Sequence, residues 1–104
     1  MPARPFPQHA SAELFKALAD ETRLKILHHL FEQERCVADL MQLLGLAQSH
    51  VSHHLKALKT VGLVESRRCG QKICYTLHPE VRANLSEAKH ETLSLGCCEV
   101  TFHR

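Results

Sequence analysis

The stretch Gly45-Leu46-Ala47-Gln48-Ser49-His50-Val51-Ser52-His53-His54-Leu55-Lys56-Ala57-Leu58-Lys59 decides the reading of this chain. Wound at about 100° per residue, it places Val51, Leu55 and Leu58 on one side and Ser49, His53, Lys56 and Thr60 on the other. The first side suits a core. The second carries hydroxyls, an imidazole and an ammonium but no carboxylate, which equips a helix to lie in a major groove and touch base edges and phosphates. The spacing predicts a recognition helix.

Upstream, Val37 to Leu44 reads as a short helix stopped by Gly45 in the left-handed position beyond its end. Only Leu46 and Ala47 then separate it from the recognition helix, and so tight a join between two helices predicts a helix-turn-helix. Ala47 stands where a capping Ser or Thr is preferred, a local deficit of roughly 1 kcal/mol. Downstream, Gly62 ends the recognition helix. Leu63 to Arg68 and Lys72 to Leu77 are β-prone runs around Cys69-Gly70-Gln71, which predicts a hairpin with Arg67, Arg68 and Lys72 at its tip.

Farther out, residues 1–9 hold three prolines and no periodicity, as expected of a flexible arm. Ser11 is positioned to cap a first helix with Leu14, Phe15 and Leu18 on one face and Glu13 in its first turn. Asp20 is the expected N-cap of a second, which runs to about Glu34 with Leu24, Leu27, Leu30 and Phe31 on a shared face. Pro79 starts a last helix to about Leu93, with a modest stripe of Val81, Leu85, Ala88 and Thr92. The expected fold is mostly α with a small β-hairpin, a winged helix-turn-helix in the order α-α-α-α-β-β-α. Residues 10–95 form its single domain and residues 96–104 a C-terminal tail.

A chain of 104 residues, 44% of them hydrophobic, supports one core and no more, so further burial has to come from a partner subunit. The net charge of +2 is unevenly placed: residues 48–72 hold Lys56, Lys59, Arg67, Arg68 and Lys72 against Glu65 alone, leaving the remainder slightly acidic. A basic patch on such a body suits a polyanion met from one side, although charge alone also fits a solvated basic face. No run of about 18 apolar residues exists and the Pro-rich start lacks the apolar stretch of a signal peptide, so the expected location is the cytoplasm, with no membrane partner. Five cysteines, an odd number beside a good aliphatic core, argue against a disulfide scaffold. An enzyme is the least favoured class: the chain has no nucleophile with a nearby base, no glycine-rich phosphate loop and no H-E-x-x-H pattern.

Four motifs in order resemble the ArsR/SmtB family of metalloregulatory repressors. They are Leu18-Ala19-Asp20-Glu21-Thr22-Arg23-Leu24-Lys25-Ile26-Leu27, Cys36-Val37-Ala38-Asp39-Leu40, Gln48-Ser49-His50-Val51-Ser52-His53-His54-Leu55, and the hairpin from Gly62-Leu63-Val64 to Tyr75-Thr76-Leu77. The resemblance covers roughly residues 11–93. It implies a homodimeric repressor that binds a palindromic double-stranded operator and lets go when an inducer binds. A two-fold dimer would set two recognition helices about one DNA turn apart, each wing reaching flanking phosphates or the minor groove. The first and last helices are then the natural dimer surface. Gln48, Ser49, His50, Ser52 and His53 are the candidates for base contacts, and Lys56, Lys59, Arg67, Arg68 and Lys72 for phosphate. His54 flanks the apolar face, which favours packing or a backbone hydrogen bond.

Family members sense soft metals through Cys-x-Cys at the start of the third helix, but here Cys36-Val37-Ala38 lacks the second sulfur. The positions matching the zinc ligands on the last helix hold Pro79, Val81 and Thr92, and His90 alone does not restore that site. In their place stands Cys97-Cys98, a vicinal pair that is awkward to bury on one face and prone to oxidation when exposed. Two thiolates from this pair plus Cys36, from either subunit, would complete a trigonal sulfur site, with Cys36 as a plain buried cysteine the alternative. As(III) or Sb(III) is the first choice of inducer, with Cd, Pb or Hg behind. Cys69 and Cys74, spaced C-x4-C in the wing, are not paired directly across the tight turn and are read as packing, and His50 with His54 lacks a third ligand for zinc. Two rival functions remain: a redox or reactive-sulfur switch linking Cys36 to Cys97 or Cys98 on the same fold, and a winged-helix interaction module that does not bind DNA.

Overall fold

Asp20 fixes where the second helix begins: its backbone is extended and its carboxylate accepts the Arg23 N–H at 3.1 Å, satisfying one of the open donors of the first turn. The computed structural model describes residues 11–83, 85–86, 91–94 and 99–102. Helices α1 (Ser11–Leu18) and α2 (Glu21–Glu32) lead through a two-residue strand β1 (Arg35–Cys36) into α3 (Val37–Leu44) and α4 (Gln48–Thr60). Strands β2 (Val64–Cys69) and β3 (Lys72–Leu77) form the wing, followed by a short α5 (Pro79–Ala83). The fold is mostly helical with a small antiparallel hairpin, as expected.

The joints follow from particular residues. Gly45 adopts φ 66°, a left-handed conformation that side chains with a Cβ resist, and its N–H closes α3 on Met41 O at 2.8 Å. Ala47 precedes α4 with no side-chain cap. Gly70, also at φ 66°, opens the two-residue turn between the paired Cys69 and Lys72. The periodic aliphatics meet in one core of Ile26, Leu27 and Leu30 from α2, Leu40 from α3, Val51, Leu55 and Leu58 from α4, and Leu63, Val64 and Val81. Arg82 fastens α5 to the end of α2 by donating to the carbonyls of Phe31 at 3.1 Å and Leu30 at 2.8 Å, which that helix terminus leaves open.

Three expectations fail locally. Phe15 is 48% exposed, and it is Leu14, Ala17 and Leu18 that turn inward. The strand β1 pairs antiparallel with β3, making the wing a three-stranded sheet in the order β1-β3-β2; two residues are too few to show alternation in the sequence. The last helix stops at Ala83 instead of about Leu93. Strands β4 (Leu85–Ser86), β5 (Glu91–Ser94) and β6 (Glu99–Phe102) follow it as a second antiparallel sheet in that order. A helix draws its stability from a packed apolar face, and past Val81 the stripe offers only Leu85 as a large aliphatic. The Pro-rich arm at residues 1–9, Cys97 and Cys98 lie outside the described residues.

Candidate nucleic-acid interface

Helix α4 separates its two faces as its periodicity predicts. Val51, Leu55 and Leu58 are fully buried, while Gln48, Ser49, His50, His53, Lys56 and Lys59 are exposed and Ser52 is half-buried. The exposed side contains hydroxyl, amide, imidazole and ammonium groups and no acid. Lys59 donates to Ser66 Oγ at 2.8 Å, tying the far end of the helix to the wing and setting its ammonium beside the hairpin.

His54 is buried at 6% exposure, in accord with a packing role, but its partner is a side chain. Arg23 donates its Nε–H to His54 Nδ1 at 3.1 Å, so that nitrogen is an acceptor and the ring is neutral. Burial pushes the His54 pKa below the ordinary histidine value, and the nearby Arg23 adds to this; Asp20, 3.9 Å away, pulls in the other direction and does not prevail. The ring then supports its neighbours. His50 stacks on it at 5.4 Å between centroids and 27° between planes, and His53 meets it edge-on at 5.4 Å and 64°. The two exposed imidazoles on the acid-free face thus rest against a buried third.

At the wing, Arg67, Arg68 and Lys72 are all exposed. Arg67 is engaged as well: Nε and Nη2 donate to the two carboxylate oxygens of Glu34 at 2.5 and 2.7 Å, a forked pair joining β2 to the segment before β1. The guanidinium holds the Glu34 carboxyl below the usual carboxylate range, and Glu34 in turn raises Arg67. Nothing in the local sequence signals this pair, whose members stand 33 residues apart.

Cys36 is buried at the start of α3, where its N–H donates to Asp39 at 3.0 Å. Asp39 lies below its ordinary carboxyl pKa because it accepts this N–H and the Cys36 thiol. With Cys97 and Cys98 outside the described residues, Cys36 is the one member of the expected sulfur set with a described position. Cys69 and Cys74 approach each other in the wing. Both are half-buried and their side chains hydrogen-bond to each other. The Cys74 thiol is pushed up to about 11, first by that bond and then by burial. They are not directly paired in the register, since Cys69 faces Lys72 and Cys74 faces Arg67, but they meet on the diagonal. Among the described residues, no helix is long and apolar enough to cross a membrane.

The sequence model of the family described as bacterial regulatory protein, arsR family, matches residues 20–66. A transcriptional repressor SmtB homolog from Synechocystis sp. is 44% identical over 66 residues, 64% of this chain, and the match spans only 50% of that protein's length. The arsenic resistance transcriptional regulator ArsR1 of Pseudomonas putida is 41% identical over 88 residues, covering 78% of this chain and 69% of that protein. The homodimeric winged helix-turn-helix DNA-binding domain of Mb0332 from Mycobacterium bovis superposes with a TM-score of 0.66 at 40% identity, covering 70% of this chain and 68% of that one. By name the first two of these relatives are regulators of transcription, and the third is a DNA-binding domain of a possible ArsR-family transcriptional regulator. The chain belongs to the ArsR family of bacterial regulatory proteins.

Proposed function

We propose that this chain acts as a homodimeric repressor that holds a palindromic operator through α4 and the wing and releases it when a thiophilic metal(loid) binds cysteine thiolates. The observation that carries the DNA-binding half is the two-faced α4: Val51, Leu55 and Leu58 anchor it, and Gln48, Ser49, His50 and His53 stand exposed on an acid-free surface with Lys56 and Lys59. In this reading Gln48, Ser49, His50, Ser52 and His53 contact bases, while Lys56, Lys59, Arg67, Arg68 and Lys72 contact phosphates. Residues 10–95 make up the DNA-binding and dimerisation unit.

Cys97 and Cys98, with Cys36, are the proposed thiolates, and As(III) or Sb(III) the favoured inducer, ahead of Cd, Pb and Hg. Soft trivalent metalloids suit a three-sulfur set, and the likeness to an arsenic regulator from Pseudomonas putida supports the choice. Derepression requires the inducer to bind the DNA-free form more tightly, by a coupling of roughly 1 to 3 kcal/mol. The test is arsenite titrated into a complex with a duplex selected by the protein from a random pool. Release by wild type and none by Cys97→Ser/Cys98→Ser is expected. Retention of DNA at every soft-metal concentration that leaves the protein folded overturns the proposal.

A further inference from the structure

The wing gathers a second set of thiols on one face of its sheet. The register sets Cys36 opposite Cys74 and Cys74 opposite Arg67, so these three side chains stand in a row across β1, β3 and β2. Pleat alternation adds Cys69, two residues on from Arg67, and Glu34, two residues before Cys36, to the same face. One carboxylate oxygen of Glu34 and the Sγ atoms of Cys69 and Cys74 lie within 4.8 Å of one another, and all three residues are half-buried. An ion centred among donors no farther apart than that sits at most about 2.8 Å from each. Zinc-to-sulfur bonds are about 2.3 Å, so each donor need move inward by only roughly 0.5 Å.

We propose that Glu34, Cys69 and Cys74 form a binding site for a thiophilic divalent cation of the zinc or cadmium kind at the base of the wing. Two thiolates and a carboxylate make a borderline-soft donor set that suits such ions and disfavours magnesium and calcium. A trivalent metalloid seeking three sulfurs is poorly served, which separates this site chemically from the Cys36, Cys97 and Cys98 set. Binding releases the two thiol protons to solvent and takes one oxygen of Glu34 from its fork with Arg67. Partial exposure of the three donors leaves a fourth position for water. The inference goes beyond the proposed induction mechanism and does not depend on it.

The experiment uses the full chain carrying Cys36→Ser, Cys97→Ser and Cys98→Ser, which empties the other thiol set, reduced and kept free of oxygen. Cadmium chloride is titrated in and the ultraviolet sulfur-to-cadmium charge-transfer band is followed, with circular dichroism as the check on folding. One equivalent should bind, with the band lost on adding Cys69→Ser or Cys74→Ser. Glu34→Gln should keep the band and weaken affinity at least about tenfold, the scale on which perturbing a metal site acts. Should the triple variant fail to fold, wild type and Cys69→Ser/Cys74→Ser are compared instead, and stoichiometry should fall by one equivalent. No band in the folded triple variant, equal stoichiometry in that fallback comparison, or unchanged affinity after Cys69→Ser, Cys74→Ser or Glu34→Gln overturns the site. Arsenite release from DNA is scored separately and neither rescues nor sinks it.

Discussion

The Nε–H of Arg23, on α2, donates to Nδ1 of His54, on α4, at 3.1 Å, so the helix that carries the acid-free exposed face is keyed to the core through a neutral, buried imidazole. Because burial lowers the folded-state pKa of His54 below its ordinary 6.5, the unfolded chain takes up this proton first as pH falls. The contribution is therefore fully present above about 6.5 and is lost as pH drops from there through the folded value. Urea midpoints measured between pH 8 and pH 5 should fall over that window, and His54→Gln, which keeps an acceptor for Arg23, should flatten the profile. The carboxylates held low, Asp20 by the Arg23 N–H and Asp39 by the Cys36 N–H, act in a separate window: their contribution is present above about 3.8 and lost below it. A profile equally steep in His54→Gln would show that other groups carry the effect.

Arg67 reaches the wing surface with its guanidinium already committed to Glu34. If it is a phosphate contact, that carboxylate competes with DNA for it. Glu34→Ala should then tighten DNA binding at low salt and steepen the slope of log affinity against log salt by roughly 0.9, the increment for one more neutralised phosphate. Arg67 is exposed and Glu34 only half-buried, and salt bridges so open to solvent contribute little to stability, so the thermal midpoint should move little. Fluorescence anisotropy across a salt series measures both quantities, and a slope equal to wild type would mean that Arg67 makes no phosphate contact even when freed.

How much of this was legible beforehand depends on the range of each interaction. The buried stripe Val51, Leu55 and Leu58, the break at Gly45 and the turn at Gly70 rest on local periodicity and backbone chemistry, and they were readable residue by residue. His54 was placed on the apolar side, but its partner Arg23 is 31 residues away and could not be read. Strand β1 exists only through its pairing with β3, and with it goes the row that brings Glu34, Cys36 and Cys74 alongside Arg67. The diagonal meeting of Cys69 and Cys74 had a sequence signal, since the C-x4-C spacing across a two-residue turn puts both on one face, but the two are not directly opposite each other and so read as packing. The helix expected to reach about Leu93 failed for the opposite reason: a weak stripe was extended beyond Val81, its last core contact among the described residues.

Lys56 and Gln48 share the exposed side of α4 and are expected to fail differently when truncated. Lys56 offers a point charge, so Lys56→Ala should weaken binding to operator and unrelated duplex alike and reduce the salt slope by roughly 0.9. Gln48 offers a paired donor and acceptor at the first turn, so Gln48→Ala should cost about 1 to 3 kcal/mol on the preferred site, relax selectivity at one base pair and leave the slope unchanged. Competition between specific and mixed-sequence duplexes at two salt concentrations separates these outcomes. A uniform loss in Gln48→Ala with a changed slope would reassign that residue to the phosphate group.

Phe15 and Leu14 are neighbours on α1 with opposite surroundings, 48% and 3% exposed. A large aromatic left in water on a surface helix suits burial against a second copy of this chain, as the proposed homodimer requires. The transfer of one such side chain contributes about 1.5 to 3 kcal/mol. Phe15→Ser should therefore raise the dimer dissociation constant roughly 10- to 100-fold, while a protein concentration above that constant restores DNA binding. Leu14→Ser acts inside the core and should lower the unfolding midpoint at every concentration. Sedimentation velocity over a dilution series reads the first effect and chemical denaturation the second. A Phe15→Ser protein that stays dimeric at the same dilution as wild type would place the subunit contact on another face.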